Sequence, residues 1–475
     1  MNKPYDKYAV IFAVVVIVLF VSGRAGNLYL PFYYDEAWSY ATAVFDIAHG
    51  HLAIVSGDGN PELTRGHPML FYFLAALWVK LTGTGTTLVH LFPLAVSVVL
   101  LIAIYRVAGA LFDKTTAMAA IVLFALLPGF MAQSTLLLPE VMLALWTLLT
   151  VYTYFSKKWF LFAVFSVLLV MTKETGMVLI GTLILDKLVL ERFFYGDSKG
   201  SRRILTRESM ILAVPVVTFA IFMIIQNIRY GWYLYPGHLD LAVLNFRNIM
   251  GRAWRFTSEL LLRQGRLFFL LLSAYAFIRL TLKHLVNRRQ AHLLLFSAVF
   301  SAGYLIFSSV NFFSSRYLLS IFPFYIIPGS WLITSCFGKS WQKLAAVGIL
   351  SVIFSYNTFF NYLNEFDTSL GYRNTVLLQK KAVNFAEQMH WQQKPVYTTF
   401  LMQYYLTSPD LGYLGNREQP FINVGNIPGN SDIFIFCSNE SDPLYTDICK
   451  RSDIQPVKRF ESKGAWVQIF SRISP

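Results

Sequence analysis

Residues 8–38 read YAVIFAVVVIVLFVSGRAGNLYLPFYYDEAW. Every residue from Tyr8 to Val21 is apolar, and the stretch to Leu30 reaches the roughly 20 residues that a membrane-crossing helix requires. It then delivers two adjacent acids, Asp35 and Glu36, to the far edge of the bilayer. The start (Asn2, Lys3, Lys7 and the apolar run) resembles a signal peptide, but no clean small-x-small cleavage site follows. An uncleaved signal anchor is therefore expected.

Composition agrees with a membrane chain. Of 475 residues, 56% are hydrophobic and 14% charged, against roughly 25% charged in a typical soluble domain. Three cysteines exclude a disulfide scaffold, and the apolar excess excludes disorder. The net charge of +14 implies basic cytoplasmic loops and anionic lipid contact. It does not imply nucleic acid, because no soluble module carries a basic stripe interleaved with aromatics.

Further spans are expected at 85–105, 115–133, 137–156, 159–173, 175–191, 209–228, 266–283, 291–310, 318–336 and 341–362. With 8–30 these make eleven. The segment His67–Thr82 is apolar but short, and reads as an interfacial helix. Under that reading eighteen basic residues collect on one side, among them Lys3, Lys7, Arg106, Lys157, Lys199, Arg202, Arg203, Arg289 and Lys343. The positive-inside rule makes that side cytoplasmic. A crossing at His67–Thr82 would turn most of these charges outward. The chain is thus expected in the inner (plasma) membrane, with its C-terminal part facing the periplasm or exterior.

Near Asn364 the long apolar runs stop, which divides the chain into a membrane domain, 1–363, and a soluble α/β domain, 364–475. The second has an expected helix at Ala382–Met389 and strands at Pro395–Phe400, Ile433–Cys437 and Ala465–Phe470. In an oxidising compartment, Cys437 and Cys449 would be expected to form a disulfide.

On this topology charged residues distant in sequence gather at the outer surface: Asp35 and Glu36, Glu140, Lys173 and Glu174, and Arg316 with Tyr317. Each has a plain structural reading. Asp35-Glu36 suits a helix cap, Glu140 a helix-dipole partner, Lys173 and Glu174 a solvated turn, and His67-Pro68 a helix start. His49 and His51 read as loop residues rather than ligands. Charges at a membrane edge are costly unless they meet partners or water, so their convergence suggests a site.

The order Asp35-Glu36, Gly66-His67-Pro68, Thr172-Lys173-Glu174-Thr175-Gly176 and Ser315-Arg316-Tyr317-Leu318-Leu319 resembles the polyprenyl-phosphate-sugar-dependent membrane glycosyltransferases of the GT-C fold. These are the protein O-mannosyltransferase and lipid A aminoarabinose transferase type, similar to glycosyltransferase family 39. The resemblance covers roughly residues 8–340. The family's usual His-Pro-Pro-Leu is His67-Pro68-Met69-Leu70 here.

The resemblance implies inverting transfer of a sugar from a polyprenyl phosphate to a lipid, glycan or protein acceptor at the outer face. It makes Asp35 the base for the acceptor hydroxyl. Lys173, Arg316 and basic residues of the 229–266 loop (Arg247, Arg252, Arg255, Arg263, Arg266) would meet phosphate. Glu36, His67, Glu140, Glu174 and Tyr317 would complete the substrate site. The chemistry agrees: phosphate is a weakly basic leaving group, so a carboxylate base and cations suffice. A divalent metal ion is the one cofactor the resemblance allows, on Asp35, Glu36 and Glu140, although no spacing demands it. A lipid or glycan flippase is the rival from another class, but it would place charges at the midplane on pseudo-repeats, and none shows. A polysaccharide polymerase or ligase would share the donor and differ in product size.

Overall fold

The computed structural model describes residues 7–52, 60–196, 207–242, 245–362, 367–416, 419–429 and 431–473. Lys3, Lys199, Arg202, Arg203 and the expected domain boundary at 363/364 lie outside the described residues. The chain is a polytopic α-helical membrane protein with a small C-terminal sheet.

Helix covers each of the eleven segments expected to cross, although several are short or broken. Among the described residues, Lys7–Asn27, Thr86–Leu111, Glu208–Tyr230 and Arg288–Val310 are individually long and apolar enough to span a membrane. Shorter apolar helices, including Lys114–Ala125, Glu140–Phe155 and Trp159–Thr172, pack between them. Their ends follow local chemistry. Asp113 caps its helix on the Thr116 amide at 2.8 Å, and Asn287 with Gln290 forms a capping box.

The 229–266 segment, read above as a loop, holds a helical run Phe246–Leu262 that meets Arg266–Leu282 at 74°. The bend occurs at Gly265, with φ +84° and a Cβ position only 2.6 Å from Ile353. Only glycine tolerates both conditions. The helix Leu70–Thr82 is about 20 Å long at 1.5 Å per residue, short of the hydrocarbon thickness.

At one end of the bundle, Asp186 accepts from Tyr154 (2.8 Å) and pairs with His292 (2.7 Å), all buried. The functional candidates lie elsewhere. A second core joins the segment after the first helix, the Leu70–Thr82 helix and the C-terminal region.

That C-terminal region carries a five-stranded sheet: β1 (Val396–Thr398), β2 (Val424–Gly425), β3 (Ile433–Cys437), β4 (Ile454–Ser462) and β5 (Ala465–Arg472), in the order β2-β1-β3-β5-β4. β1 is parallel to β2 and β3, whereas β5 is antiparallel to β3 and β4. The helix expected at Ala382–Met389 is Tyr372–Gln388, beginning ten residues before the expected start. β4 escapes sequence reading because Pro456 and its charged residues suit an edge strand.

The expected disulfide does not form. Cys437 is buried at the end of central strand β3, and Cys449 is exposed beyond the Leu444–Ile448 helix. Burial within the sheet core accounts for Cys437 without a bridge.

The entry to Leu70–Thr82 is tightly constrained. Arg65 and Gly66 have φ of +49° and +63°, and the Gly66 carbonyl accepts from Gln226 Nε2 at 3.1 Å. A Cβ on Gly66 would lie 2.8 Å from the Trp232 ring, which is itself stacked on Tyr230 at 5.0 Å. Gly66→Ala should therefore cost about 1–2 kcal/mol for the left-handed backbone, plus the clash. In a double-mutant cycle read by thermal unfolding, Trp232→Ala should recover part of that loss. Strict additivity of the two losses would contradict the close approach.

Candidate active site

After the first helix the chain turns through Tyr34, which holds φ +52°. Glu36 fixes this turn. Its carboxylate accepts from the Tyr33 amide (3.0 Å) and the Leu137 amide (2.6 Å), and meets His90 Nε2 at 3.1 Å. Glu36 is fully buried, so it anchors the turn to the Thr86–Leu111 helix and to the segment before Glu140. A π-helical turn, Glu36–Ala41, follows it.

Fixing Glu36 directs the neighbouring Asp35 to Arg316. Asp35 Oδ2 lies 2.5 Å from Arg316 Nη2; Oδ1 accepts from Trp38 Nε1 at 3.0 Å and lies 3.6 Å from Arg65. Burial opposes ionisation of Asp35, but Arg316 and Arg65 outweigh it and hold the carboxyl below its ordinary value.

Arg316 lies in the 3₁₀ turn Ser315–Ser320 and reaches three acids. Besides Asp35, Nη1 donates to Asp367 Oδ2 at 2.7 Å and Nε lies 3.3 Å from Glu140 Oε1. Lys173 donates to the same Glu140 oxygen at 2.9 Å and sits 4.3 Å above the Tyr317 ring. Glu140 Oε2 is buried and without a hydrogen-bond donor. Burial raises the Asp367 carboxyl above its ordinary value even against the pull of Arg316.

Beside this network, His67 Nδ1 meets Glu174 Oε2 at 2.8 Å, and His67 stacks parallel to Tyr40 at 6.4 Å. The His238 ring lies 5.0 Å from that of His67. Burial works against ionisation of Glu174, but His67 pulls its carboxyl down to about 2. Burial, with His67 beside it, lowers His238 to about 4, so its ring is neutral at neutral pH.

Asp35, Glu140, Lys173, Arg316 and Tyr317 thus share one network, with His67 and Glu174 paired alongside. Glu36 faces His90 and Leu137 instead. For the same reason Asp35, Glu36 and Glu140 do not form a metal cluster: their oxygens face Arg316, Lys173 and His90. Among the described residues the one three-ligand grouping is His67, Glu174 and His238.

The basic loop residues divide. Arg252 is spent on the carbonyls of Val310, Asn311 and Leu241; Arg263 pairs with Glu259 (2.8 Å); and Arg266 is buried beside Glu259 and Phe322. Arg247 and Arg255 are exposed.

Arg65, Asp367, His90 and His238 were missed from sequence. Arg65 stands two residues before His67 and stacks on Trp38 at 4.1 Å. Asp367 lies beyond the last apolar run and His238 in an expected loop, so nothing local marked either.

The chain also resembles known proteins. Residues 66–228 match the dolichyl-phosphate-mannose-protein mannosyltransferase family. The crystal structure of ArnT from Cupriavidus metallidurans bound to undecaprenyl phosphate superposes with a TM-score of 0.58 at 12% identity, covering 97% of this chain and 98% of that one. Its apo form gives 0.55 at 12% identity, over 96% and 98%. The apo oligosaccharyltransferase of Archaeoglobus fulgidus gives 0.51 at 12% identity, over 91% of this chain and 70% of that one. No curated protein matches by sequence. Residues 66–228 thus carry a mannosyltransferase-type sequence on a helical membrane architecture of the GT-C fold, which indicates glycosyltransferase activity.

Proposed function

We propose that the protein transfers a sugar from a polyprenyl-phosphate donor to an acceptor hydroxyl, with inversion, at the outer face of the plasma membrane. Asp35 is the general base. The observation that carries this reading is a buried carboxylate held ionised among cations suited to phosphate.

In the transfer the acceptor O–H gives its proton to Asp35 while the acceptor oxygen bonds to the anomeric carbon. The bond from that carbon to the phosphate oxygen breaks, and its electron pair leaves with the polyprenyl phosphate. Lys173 and Arg316 stabilise that charge in a site sheltered from water. The resting Arg316–Asp35 contact occupies the oxygen a base needs. Donor phosphate competes for Arg316, so binding the donor also frees the base. Glu140 Oε2, buried and undonated, suits a sugar hydroxyl. His67, Glu174 and Tyr317 border the same space.

The isoprenoid chain suits an apolar groove of about 520 Å³ lined by Phe256, Leu260, Phe269 and Leu305. The positive-inside distribution supports an outward site. Residues 364–475 then form an extracytoplasmic domain on the membrane domain 1–363. Tyr405 Oη accepts from the Tyr34 amide at 3.2 Å, and Tyr413 Oη donates to the Phe32 carbonyl at 3.0 Å. The C-terminal region therefore braces the turn that carries Asp35.

Asp35→Asn preserves shape but removes the base. Single-turnover transfer from polyprenyl-phosphate sugars, followed by mass spectrometry, should slow roughly 10²–10⁴-fold while donor binding is kept. Transfer within tenfold of the parent rate by a well-folded variant would refute the assignment.

The pH profile gives a second test. A base is effective above its pKa and is lost as pH falls through it. Because Asp35 is held below the ordinary carboxylate value, the acid limb of kcat/KM should lie low in the parent. Arg65→Gln removes one stabilising cation, so the limb should move to higher pH. An unmoved or lowered limb would contradict the role given to Asp35.

A further inference from the structure

The outer loop after the Arg207–Tyr230 helix folds back over the entry to Leu70–Thr82. Tyr235 Oη donates to Glu62 at 2.6 Å, Gln226 reaches the Gly66 carbonyl, and Trp232 packs on Gly66. These contacts bring His238, in the short helix Pro236–Leu239, beside His67 and Glu174. The three residues come from separate segments, and one ligand atom from each lies within 4.8 Å of the others.

We propose that His67, Glu174 and His238 bind one divalent zinc-type cation, which clasps the outer loop onto the turn that carries Lys173. Two imidazoles and one carboxylate are the ligand chemistry of zinc; magnesium and calcium prefer oxygen sets. Tetrahedral zinc with bonds near 2.0–2.1 Å separates its ligand atoms by about 3.3 Å. His67 Nδ1 and Glu174 Oε2, now 2.8 Å apart, need only part by about half an ångström for the ion to replace the proton between them. His238 has to close in by at most about 1.5 Å, and it lies in a partly exposed surface segment. His67 is held by Tyr40 from within, so the mobile partner is the loop histidine. Three protein ligands leave a fourth position for water or another oxygen ligand.

The set is also selective in charge. One carboxylate against a dication leaves the centre at +1, with Lys173 adjacent in sequence to Glu174. A weakly held hard cation gains little there, whereas a metal that binds imidazole strongly can still be retained. The clasp is distinct from the carboxylates around Arg316 and does not depend on the transfer chemistry proposed above.

The test uses the full-length protein, purified on a tag without histidine and equilibrated with micromolar Zn²⁺. Metal content by inductively coupled plasma mass spectrometry should be about one zinc per chain. His238→Ala and Glu174→Gln, each checked for folding by size exclusion, should each weaken binding at least about tenfold by chelator competition. Mg²⁺ at millimolar concentration should not displace the zinc, and Co²⁺ should give the visible bands of a tetrahedral site. Zinc should also protect the 231–242 segment from proteolysis in the parent but not in His238→Ala. Parent protein that retains no zinc, or His238→Ala with parental zinc affinity, would overturn the proposal. Should a variant fail to fold, the cobalt spectrum of the parent decides: an octahedral spectrum refutes the site.

Discussion

A guanidinium buried among three carboxylates sets the terms for the rest of the molecule. Arg316 is 7% exposed and holds Asp35, Glu140 and Asp367, while Lys173 shares Glu140. Desolvating so many charges is tolerable only if each finds its partner, and removing one from such a cluster typically costs about 3–5 kcal/mol. The five residues come from the turn after the first helix, the start of Glu140–Phe155, the turn after Trp159–Thr172, a 3₁₀ turn and the approach to Tyr372–Gln388. Every one of those segment ends must therefore arrive at the same place. The charge network is a constraint on the fold as well as the chemistry of the site.

The same constraint explains what was legible in the sequence. Long apolar runs reveal helices because hydrocarbon leaves the backbone few other ways to satisfy its polar groups. Charged residues at their ends were conspicuous against 56% hydrophobic composition, which is why Asp35, Glu140, Lys173 and Arg316 could be picked out. Their pairings could not be, because the partners are separated by up to 281 positions. The partners of Glu36 are hidden for a related reason. Adjacent acids look equivalent in sequence, but one faces Arg316 and the other His90, with the π-helical turn starting between them.

Other misses follow from polar signals that resemble loops. Asp367 and His238 sit in segments with no periodicity, and the helix Phe246–Thr257 is amphipathic and arginine-rich, so it read as a loop. Its Phe246, Met250 and Trp254 are exposed at a spacing of four, the mark of one helical face. The edge strand β4 alternates irregularly and contains Pro456. In the C-terminal region the buried strand β3 was legible to the residue, because five consecutive apolar positions allow little else.

Arg316 also gives the resting site its character. Its contact with Asp35 holds the carboxyl below its ordinary value but occupies it, and in the proposed reaction the donor phosphate draws the guanidinium away so that Asp35 can accept a proton. A structure of the protein with a polyprenyl phosphate tests this claim most directly. Phosphate oxygens should lie within hydrogen-bond distance of Arg316 and Lys173, with the Arg316–Asp35 contact opened. Phosphate seated elsewhere, with Arg316 Nη2 still on Asp35 Oδ2, would contradict it.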